Sequence, residues 1–187
     1  MAEHTADLTS NPVDLAERPA STEAPEFYAP YFDLVPAGDI RDVLDTHATR
    51  ASTFLRSVAD DRTLHRYAAG KWTVREVVSH INDLERVFTM RALWFARDLA
   101  DPLPGFDHDI AIANAGANDR PWASHVDEFE AVRAASGSLF RSLPLEAWGR
   151  SGVANTREFS VRALAHFLVG HAEHHLKMLR EQYGLGS

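Results

Sequence analysis

The sequence predicts an all-α protein, a four-helix bundle with long inter-helix connections, on three observations. Apolar residues recur at helical spacing from about residue 33 almost to the C-terminus. We find no segment with the alternation of apolar and polar residues, bounded by turns, that indicates a strand. Prolines and glycines divide the helical pattern into four long segments. Amphipathic helices bury their apolar faces by packing against one another, which favours a bundle.

The first part of the chain has a different composition from the rest. Residues 1–32 contain several prolines and small polar residues, which offer little apolar surface to bury, and we expect a loosely ordered N-terminal extension. Exposed aromatic side chains are unfavourable, so we expect the aromatic group at its end to attach the extension to the domain. The bundle domain itself is predicted to occupy residues 33–187. The aromatic group is Phe27, Tyr28, Tyr31 and Phe32.

The first two helices are predicted from their start signals. Asp39 is a suitable N-cap for a helix that ends near Val58. Thr73 and Glu76 have the spacing of a capping box, in which each side chain accepts a hydrogen bond from the other residue's backbone amide. The apolar stripe of this second helix extends to Leu99.

The third helix is predicted between two long connections. A connection over residues 105–123 has room for one short helix, and a loop of this length is usually functional or mobile. Ser124 is the expected N-cap of a helix that runs to Leu143. Residues 149–158 are expected to form an irregular link.

The fourth helix carries the histidines that point to a metal site. It is predicted to begin near Ser160 and to stop at Gly184. His171 and His175 lie one helical turn apart, so both imidazoles can reach one ion. They also occupy the buried seam, where a bundle normally places aliphatic residues, and buried imidazoles need partners. The seam comprises Leu164, Leu168, His171, His175 and Met178.

A third ligand is available on the second helix. His80 lies beside its apolar stripe, and three histidines with an open position form a catalytic type of coordination set. Histidine pairs also occur on solvated helix faces, and the sequence does not show that His80 faces the pair. His174 is a competing ligand, which we expect at the edge of the seam near the ligands or the substrate. Glu173 is expected to point away from the ion, unlike the glutamate of an HExxH metalloprotease.

Charge and composition exclude several classes of function. The formal net charge of -8 argues against general nucleic-acid binding, which requires a basic face. The chain has no cysteine, so it provides no thiolate nucleophile, zinc ribbon or iron–sulfur ligand. No apolar run is long enough for a membrane span, and no signal peptide is recognisable at the N-terminus. We therefore expect a cytoplasmic protein.

Two segments resemble signatures of a known family. Residues 67–86, YAAGKWTVREVVSHINDLER, resemble the first signature of the DinB/YfiT-like superfamily, in its DinB_2 branch. Residues 170–176, GHAEHHL, resemble its C-terminal histidine signature. The likeness covers most of residues 33–183, and the two signatures together are much more specific than either alone.

The resemblance implies a four-helix bundle that holds a divalent ion, usually zinc or nickel, and that often forms a homodimer. Carried over to this chain, the ligands are His80, His171 and His175. Members with known activities include S-transferases that use bacillithiol or mycothiol and a mycothiol-dependent maleylpyruvate isomerase, and many others are regarded as metal-dependent hydrolases.

Two classes of function therefore remain open. The first is a metal-dependent enzyme, a thiol S-transferase or a hydrolase, that activates a low-molecular-weight thiol or water for reaction with a small molecule. Asp83 is a candidate to orient His80 or a water, although a surface ion pair is an alternative for it. The second class is a non-catalytic bundle, in which the metal stabilises a dimer or a stress-response binding module.

Overall fold

Four long helices form the body of the protein in a computed structural model that describes residues 13–186. Helices α2, α3, α5 and α6 pack as a bundle, in which α3 and α2 each contact both α5 and α6. The predicted four-helix bundle is confirmed. The elements, in chain order, are α1 (Ala29–Phe32), α2 (Ile40–Ser57), α3 (Val74–Ala96), α4 (His108–Asn114), α5 (Trp122–Ser142), β1 (Ser151–Ala154), β2 (Arg157–Ser160) and α6 (Val161–Glu181).

Three of the long helices begin at the predicted caps. Asp39 accepts a hydrogen bond from a backbone amide in the first turn of α2, and Ser160 does the same for α6. At α3 both halves of the capping box are present: the Thr73 hydroxyl accepts from the Glu76 amide at 3.1 Å, and the Glu76 carboxylate accepts from the Thr73 amide at 2.7 Å. These caps satisfy amides that the helix leaves without partners, so they position the first turn of each helix.

Two predicted helix ends are wrong. Helix α5 begins at Trp122 after Pro121, and the hydroxyl of Ser124 donates back to the Pro121 carbonyl at 2.8 Å instead of capping the helix. Helix α3 ends at Ala96, and Asp98 adopts a left-handed conformation with φ 58° that ends the apolar stripe before Leu99.

The expected irregular link contains an antiparallel hairpin, so the prediction that the chain has no strand is wrong. Strand β1 pairs with β2 in a register that places Ala154 opposite Arg157. Asn155 and Thr156 form the two-residue turn with φ values of 50° and 61°, the left-handed geometry that matches strand twist. Leu103 adds a parallel bridge to Ala154. Strands of four residues are too short to show a reliable alternation pattern.

The connection over residues 105–123 contains the predicted short helix, α4, which packs on α3. The Asp107 carboxylate caps α4 by accepting from the amides of Asp109 and Ile110, each at 3.0 Å. A 3-10 turn at Ala117–Asp119 follows. The order of the loop therefore comes from its own cap and from contact with α3.

The part of the N-terminal segment that the structure describes is packed against the bundle, which differs from the expected loose extension. Leu15 is buried in the main apolar cluster. Glu23 forms an ion pair with Arg162 and accepts a hydrogen bond from Ser160 at 2.7 Å. Helix α1 lies against α6. Residues 1–12 of the predicted extension lie outside the described residues, and the domain boundary at residue 33 remains a prediction.

Within residues 13–186, the helices do not combine the length and apolar character that a membrane span requires.

Candidate metal centre

Three imidazoles converge where α3 packs on α6. His80 comes from the second turn of α3, and His171 and His175 come from successive turns of α6. The Nε2 atom of His171 lies 3.1 Å from Nε2 of His80 and 3.1 Å from Nε2 of His175. All three rings are buried. The structure therefore brings together the three residues that the sequence singles out as ligands.

Burial keeps these histidines neutral. Desolvation, together with a smaller effect of the nearby His108, lowers the pKa of His80 to about 4. Desolvation also places the pKa values of His171 and His175 well below their usual range, with smaller contributions from the other rings of the cluster. Neutral imidazoles present free lone pairs at neutral pH, and this is the form that binds a metal.

The donor set fits a metal ion better than it fits hydrogen bonding. The Nε2 atom of His171 faces two other ring nitrogens, but a neutral imidazole nitrogen that carries a proton can donate to only one of them. Zinc–nitrogen bonds of about 2.05 Å in tetrahedral geometry separate two ligand nitrogens by about 3.3 Å. The observed spacing of 3.1 Å is close to that value.

Aromatic side chains cover the cluster and restrict its rings. The Trp72 ring lies 4.8 Å from the ring of His80, and Phe167 stacks on His171 at 5.1 Å with an angle of 26° between the planes. Trp72 immediately precedes the capping box of α3, so the same local structure that starts the helix also places this ring over the cluster.

The three histidines lie at one side of a cavity of about 590 Å³. The wall has contributions from the N-terminal segment, α3, the α4 loop, the hairpin turn and α6. A cavity of this size suits a small organic molecule. Its lining residues include Tyr28, Tyr31, Leu84, Phe88, Arg91, Phe106, His108, Asn155 and Phe167.

Comparison with known proteins agrees with this geometry. The sequence model of the DinB superfamily, DinB_2, matches residues 43–179. The chain belongs to the DinB superfamily. This segment extends from the first turn of α2 to the end of α6, so the family match includes all four bundle helices and the three clustered histidines.

Relatives of this DinB superfamily chain carry related descriptions. A protein of Oceanobacillus iheyensis named "Putative metal-dependent hydrolase" is 25% identical over 138 residues, which cover 73% of this chain and 79% of the relative. YfiT from Bacillus subtilis, described as "a probable metal-dependent hydrolase with an unusual four-helix bundle topology", has a TM-score of 0.66 at 16% identity, over 93% of this chain and all of YfiT. The mycothiol-dependent maleylpyruvate isomerase has a TM-score of 0.63 at 14% identity, over 78% of this chain and 61% of that protein.

The structure does not place Asp83 at the cluster. Its carboxylate lies 3.8 Å from Arg86 and close to Glu128 of α5. Desolvation raises the pKa of Asp83, and Glu128 adds to this, while Arg86 and Arg120 oppose it. Three residues along a helix turn a side chain by about 300°, which is enough to move Asp83 from the α6 side of α3 to the α5 side.

His174 lies beside the cluster and outside it. Its side chain is exposed, and its ring is 5.0 Å from His175 and 5.3 Å from Tyr31. Glu173 points away from the cluster, as expected, and contacts His47 at 3.3 Å and Arg180 at 3.0 Å. The His47 contact is the main reason why the pKa of Glu173 falls to about 2.

Three further side chains line the cavity, and for the first of them, His108, the sequence favours a solvated turn over acid/base or substrate contacts. The ring of His108 lies 5.6 Å from that of His80. Arg91 follows His80 on α3, and Asn155 comes from the unpredicted hairpin turn. For Arg91 a signal was present, because residues 80, 84, 88 and 91 share one face of a helix. For Asn155 the sequence contains no comparable signal.

Proposed function

We propose that the protein is a metal-dependent enzyme acting on a small organic substrate, with His80, His171 and His175 as the metal ligands. The observation that carries this proposal is the convergence of three neutral Nε2 atoms on one side of a cavity. A divalent ion such as zinc or nickel, when bound there, supplies a Lewis acid that lowers the pKa of water or of a thiol.

The surrounding side chains organise this site. Trp72 and Phe167 pack against the rings of His80 and His171 and restrict them. Both aromatic side chains also line the cavity, so a substrate that reaches the histidines contacts them as well. His108, at the rim of the cavity, is close enough to exchange a proton with a substrate that lies against His80.

We favour transfer to a low-molecular-weight thiol over hydrolysis. A hydrolase needs a base for its water, and three nearby carboxylates are engaged elsewhere: Glu173 faces α2, Asp83 faces α5 and Asp107 caps α4. Among the described residues of the cavity wall, this leaves only the exposed Asp109 and His108. A thiol ionises more readily than water and needs less help from a base. Because the chain has no cysteine, the sulfur must arrive with a cosubstrate. The thiol dependence of one structural relative supports this choice, and the names of the other two support the broader metal-dependent class.

The test combines metal content with the response to thiols. Untagged protein is expected to bind about one equivalent of zinc or nickel. The His80→Ala variant is expected to lose the metal, because the two imidazoles that remain are too few to hold it. His174→Ala is the matched control, since it removes a neighbouring histidine outside the cluster. Elemental analysis measures both. Wild-type protein with less than about a tenth of an equivalent after metal addition contradicts the proposal.

The thiol assignment is tested by thermal shift and turnover. Glutathione, bacillithiol and mycothiol are added to metal-loaded and metal-free protein, and at least one of them is expected to raise Tm only when metal is present. A small electrophile such as monochlorobimane then reports S-transfer. Release of p-nitrophenol from p-nitrophenyl esters without any thiol response indicates a hydrolase instead. Metal binding with neither response indicates a structural metal site.

A further inference from the structure

Arg91 is a buried cation without an anionic partner in the described structure. It lies on α3 with 4% of its surface exposed and lines the same cavity as the three histidines. One Nη2 hydrogen bond goes to the Pro104 carbonyl at 3.1 Å, and its buried Nε has no acceptor. Among residues 13–186, no carboxylate lies within 4.0 Å of its guanidinium, in contrast to buried Arg133, which pairs with Glu85 at 2.8 Å.

The acidic residues that line the cavity do not neutralise Arg91. The Asp107 carboxylate caps α4 through two backbone amides, and Asp109 lies 3.8 Å from His108. A buried charge without a partner is strongly unfavourable unless another group compensates for it. The guanidinium stacks over the Phe88 ring at 4.8 Å, which compensates only in part. An anionic ligand in the cavity would complete its coordination.

Helix α3 aligns Arg91 with the metal site. Eleven residues separate it from His80, which corresponds to about three turns and a rotation of only about 20°. Helical side chains lean towards the N-terminus, and the guanidinium of Arg91 lies over the ring of Phe88, which is eight residues after His80. The separation along the helix axis is then about 12 Å. Leu84, Phe88 and Phe167 form an apolar wall between the two ends.

Two further groups occupy the Arg91 end of the cavity. Tyr28, from the N-terminal segment, lies close enough to Arg91 for the two to interact electrostatically. Burial raises the pKa of the Tyr28 hydroxyl, so it remains a hydrogen-bond donor at neutral pH. Asn155 reaches the cavity from the hairpin turn and carries an amide donor. All three side chains offer donors to an anion.

We propose that Arg91 binds a carboxylate of the substrate, so that the protein acts on an extended molecule with an acid at one end and its reacting group about 12 Å away. The planar guanidinium matches a carboxylate in two parallel hydrogen bonds, which an ammonium does not. The position of the reacting group rests on the function proposed above, whereas carboxylate binding at Arg91 does not require a metal.

The test uses metal-free protein at pH 8, where the clustered histidines are neutral and Arg91 is the cation of interest. The probes are 4-phenylbutyrate and its neutral isostere 4-phenylbutyramide, measured by calorimetry and by intrinsic tryptophan fluorescence, to which Trp72 at the cavity contributes. The carboxylate is expected to bind at least about tenfold more tightly than the amide. Arg91→Met is expected to abolish that preference, and Arg91→Lys to reduce it. Arg86→Met, which removes an α3 arginine whose side chain is 48% exposed, is the matched control and should keep it.

Equal binding of acid and amide to the wild-type protein overturns the proposal, as does a preference that survives in Arg91→Met. Tighter binding of phenylphosphonate than of phenylbutyrate overturns the carboxylate assignment. If Arg91→Met does not fold, the proposal is tested by the affinities of the wild-type protein for acid and amide and by the reduced preference of Arg91→Lys. If the wild-type protein binds metal but does not prefer the acid over the amide, this inference is contradicted and the proposed function is not. An intact preference in a protein that binds no metal contradicts only the proposed function.

Discussion

At the scale of single residues, the fold buries histidines in two different ways. In the cluster of His80, His171 and His175, ring nitrogens face one another. Elsewhere a buried imidazole faces oxygen: His166 Nδ1 donates to the Arg162 carbonyl at 3.0 Å, and His125 Nε2 lies 2.9 Å from the Ala117 carbonyl. Backbone oxygen satisfies one neutral ring, whereas three converging nitrogens form a donor set that a shared cation would satisfy. This difference separates the cluster from the other buried histidines and supports the proposed metal site.

His166 is expected to make stability depend on pH independently of the metal site. Desolvation lowers its pKa from 6.5 to about 4, against the opposing hydrogen bond to Arg162. Between these two pH values the unfolded chain therefore binds a proton at His166 that the folded chain does not bind. The contribution of His166 to stability is complete above pH 6.5 and is lost as the pH falls to about 4, a change of about 3 kcal/mol. Urea unfolding of metal-free wild type and His166→Asn between pH 8 and pH 4 measures the difference. Parallel pH profiles for the two proteins contradict this prediction.

The sequence predicted the three clustered histidines because their pattern is local. His171 and His175 occupy apolar seam positions, and His80 lies beside an apolar stripe, so each departs visibly from a helical pattern. Arg91 departs from the same stripe, but an isolated arginine near an apolar face usually extends to solvent. Its role depends on the α4 loop and the N-terminal segment, which close the cavity over it. That closure is a tertiary property.

At the scale of elements, capping residues predicted the starts of helices more accurately than hydrophobic periodicity predicted the structure of the connections between them. Asp39, Thr73 and Ser160 each act through a neighbour two or three residues away, which a sequence shows directly. The hairpin also receives a bridge from Leu103 to Ala154, two residues that are far apart in sequence, so no local pattern reveals it. Asp83 lies away from the cluster, near Arg86 and Glu128, because the face of α3 that it occupies meets α5 and not α6, and its role in orienting a ligand or water stays a prediction.

A buried ion pair joins α3 to α5 and is expected to be essential for their packing. Glu85 and Arg133 are 3% and 2% exposed, and their side chains approach to 2.8 Å. Glu85→Gln keeps the side-chain volume but leaves Arg133 without its anion, which should lower the free energy of unfolding by about 3–5 kcal/mol. Glu130→Gln is the control, because the pair of Glu130 with Arg56 is exposed to solvent and should contribute little to stability. Urea unfolding at pH 7 measures both variants. If both variants lower the free energy of unfolding by a similarly small amount, Glu85 and Arg133 do not form a charged buried pair.

At the scale of the whole molecule, the cavity is assembled from segments that are distant in sequence. Tyr28 and Tyr31 of the N-terminal segment face histidines and an arginine of α3 and α6 across it. Composition indicated a loose extension because it measures how many apolar residues a segment has and not where they dock. The few that are present, such as Leu15, are buried against the bundle. The described N-terminal segment is therefore part of the candidate site.

The contact between α1 and α6 is expected to depend on Gly170. A Cβ at this position would overlap the backbone carbonyl of Tyr31, so the absence of a side chain lets the N-terminal segment lie directly on α6. Within a helix, replacement of glycine by alanine normally stabilises by about 0.5–1 kcal/mol. Gly170→Ala should instead destabilise by about 1–3 kcal/mol, because backbone must move to admit the methyl group.

Whether Gly170→Ala raises or lowers the free energy of unfolding shows whether the N-terminal segment is docked on α6 or loose. Gly137→Ala in α5 is the matched control, since the nearest atoms to its added methyl are the ends of the flexible Arg141 and Asp45 side chains. Urea unfolding should show a loss for Gly170→Ala and no loss for Gly137→Ala. Equal stabilisation of both variants would mean that Tyr31 does not press on α6 in solution. The cavity wall that Tyr28 and Tyr31 provide would then be absent, and the carboxylate preference assigned to Arg91 would have to arise without the Tyr28 hydroxyl.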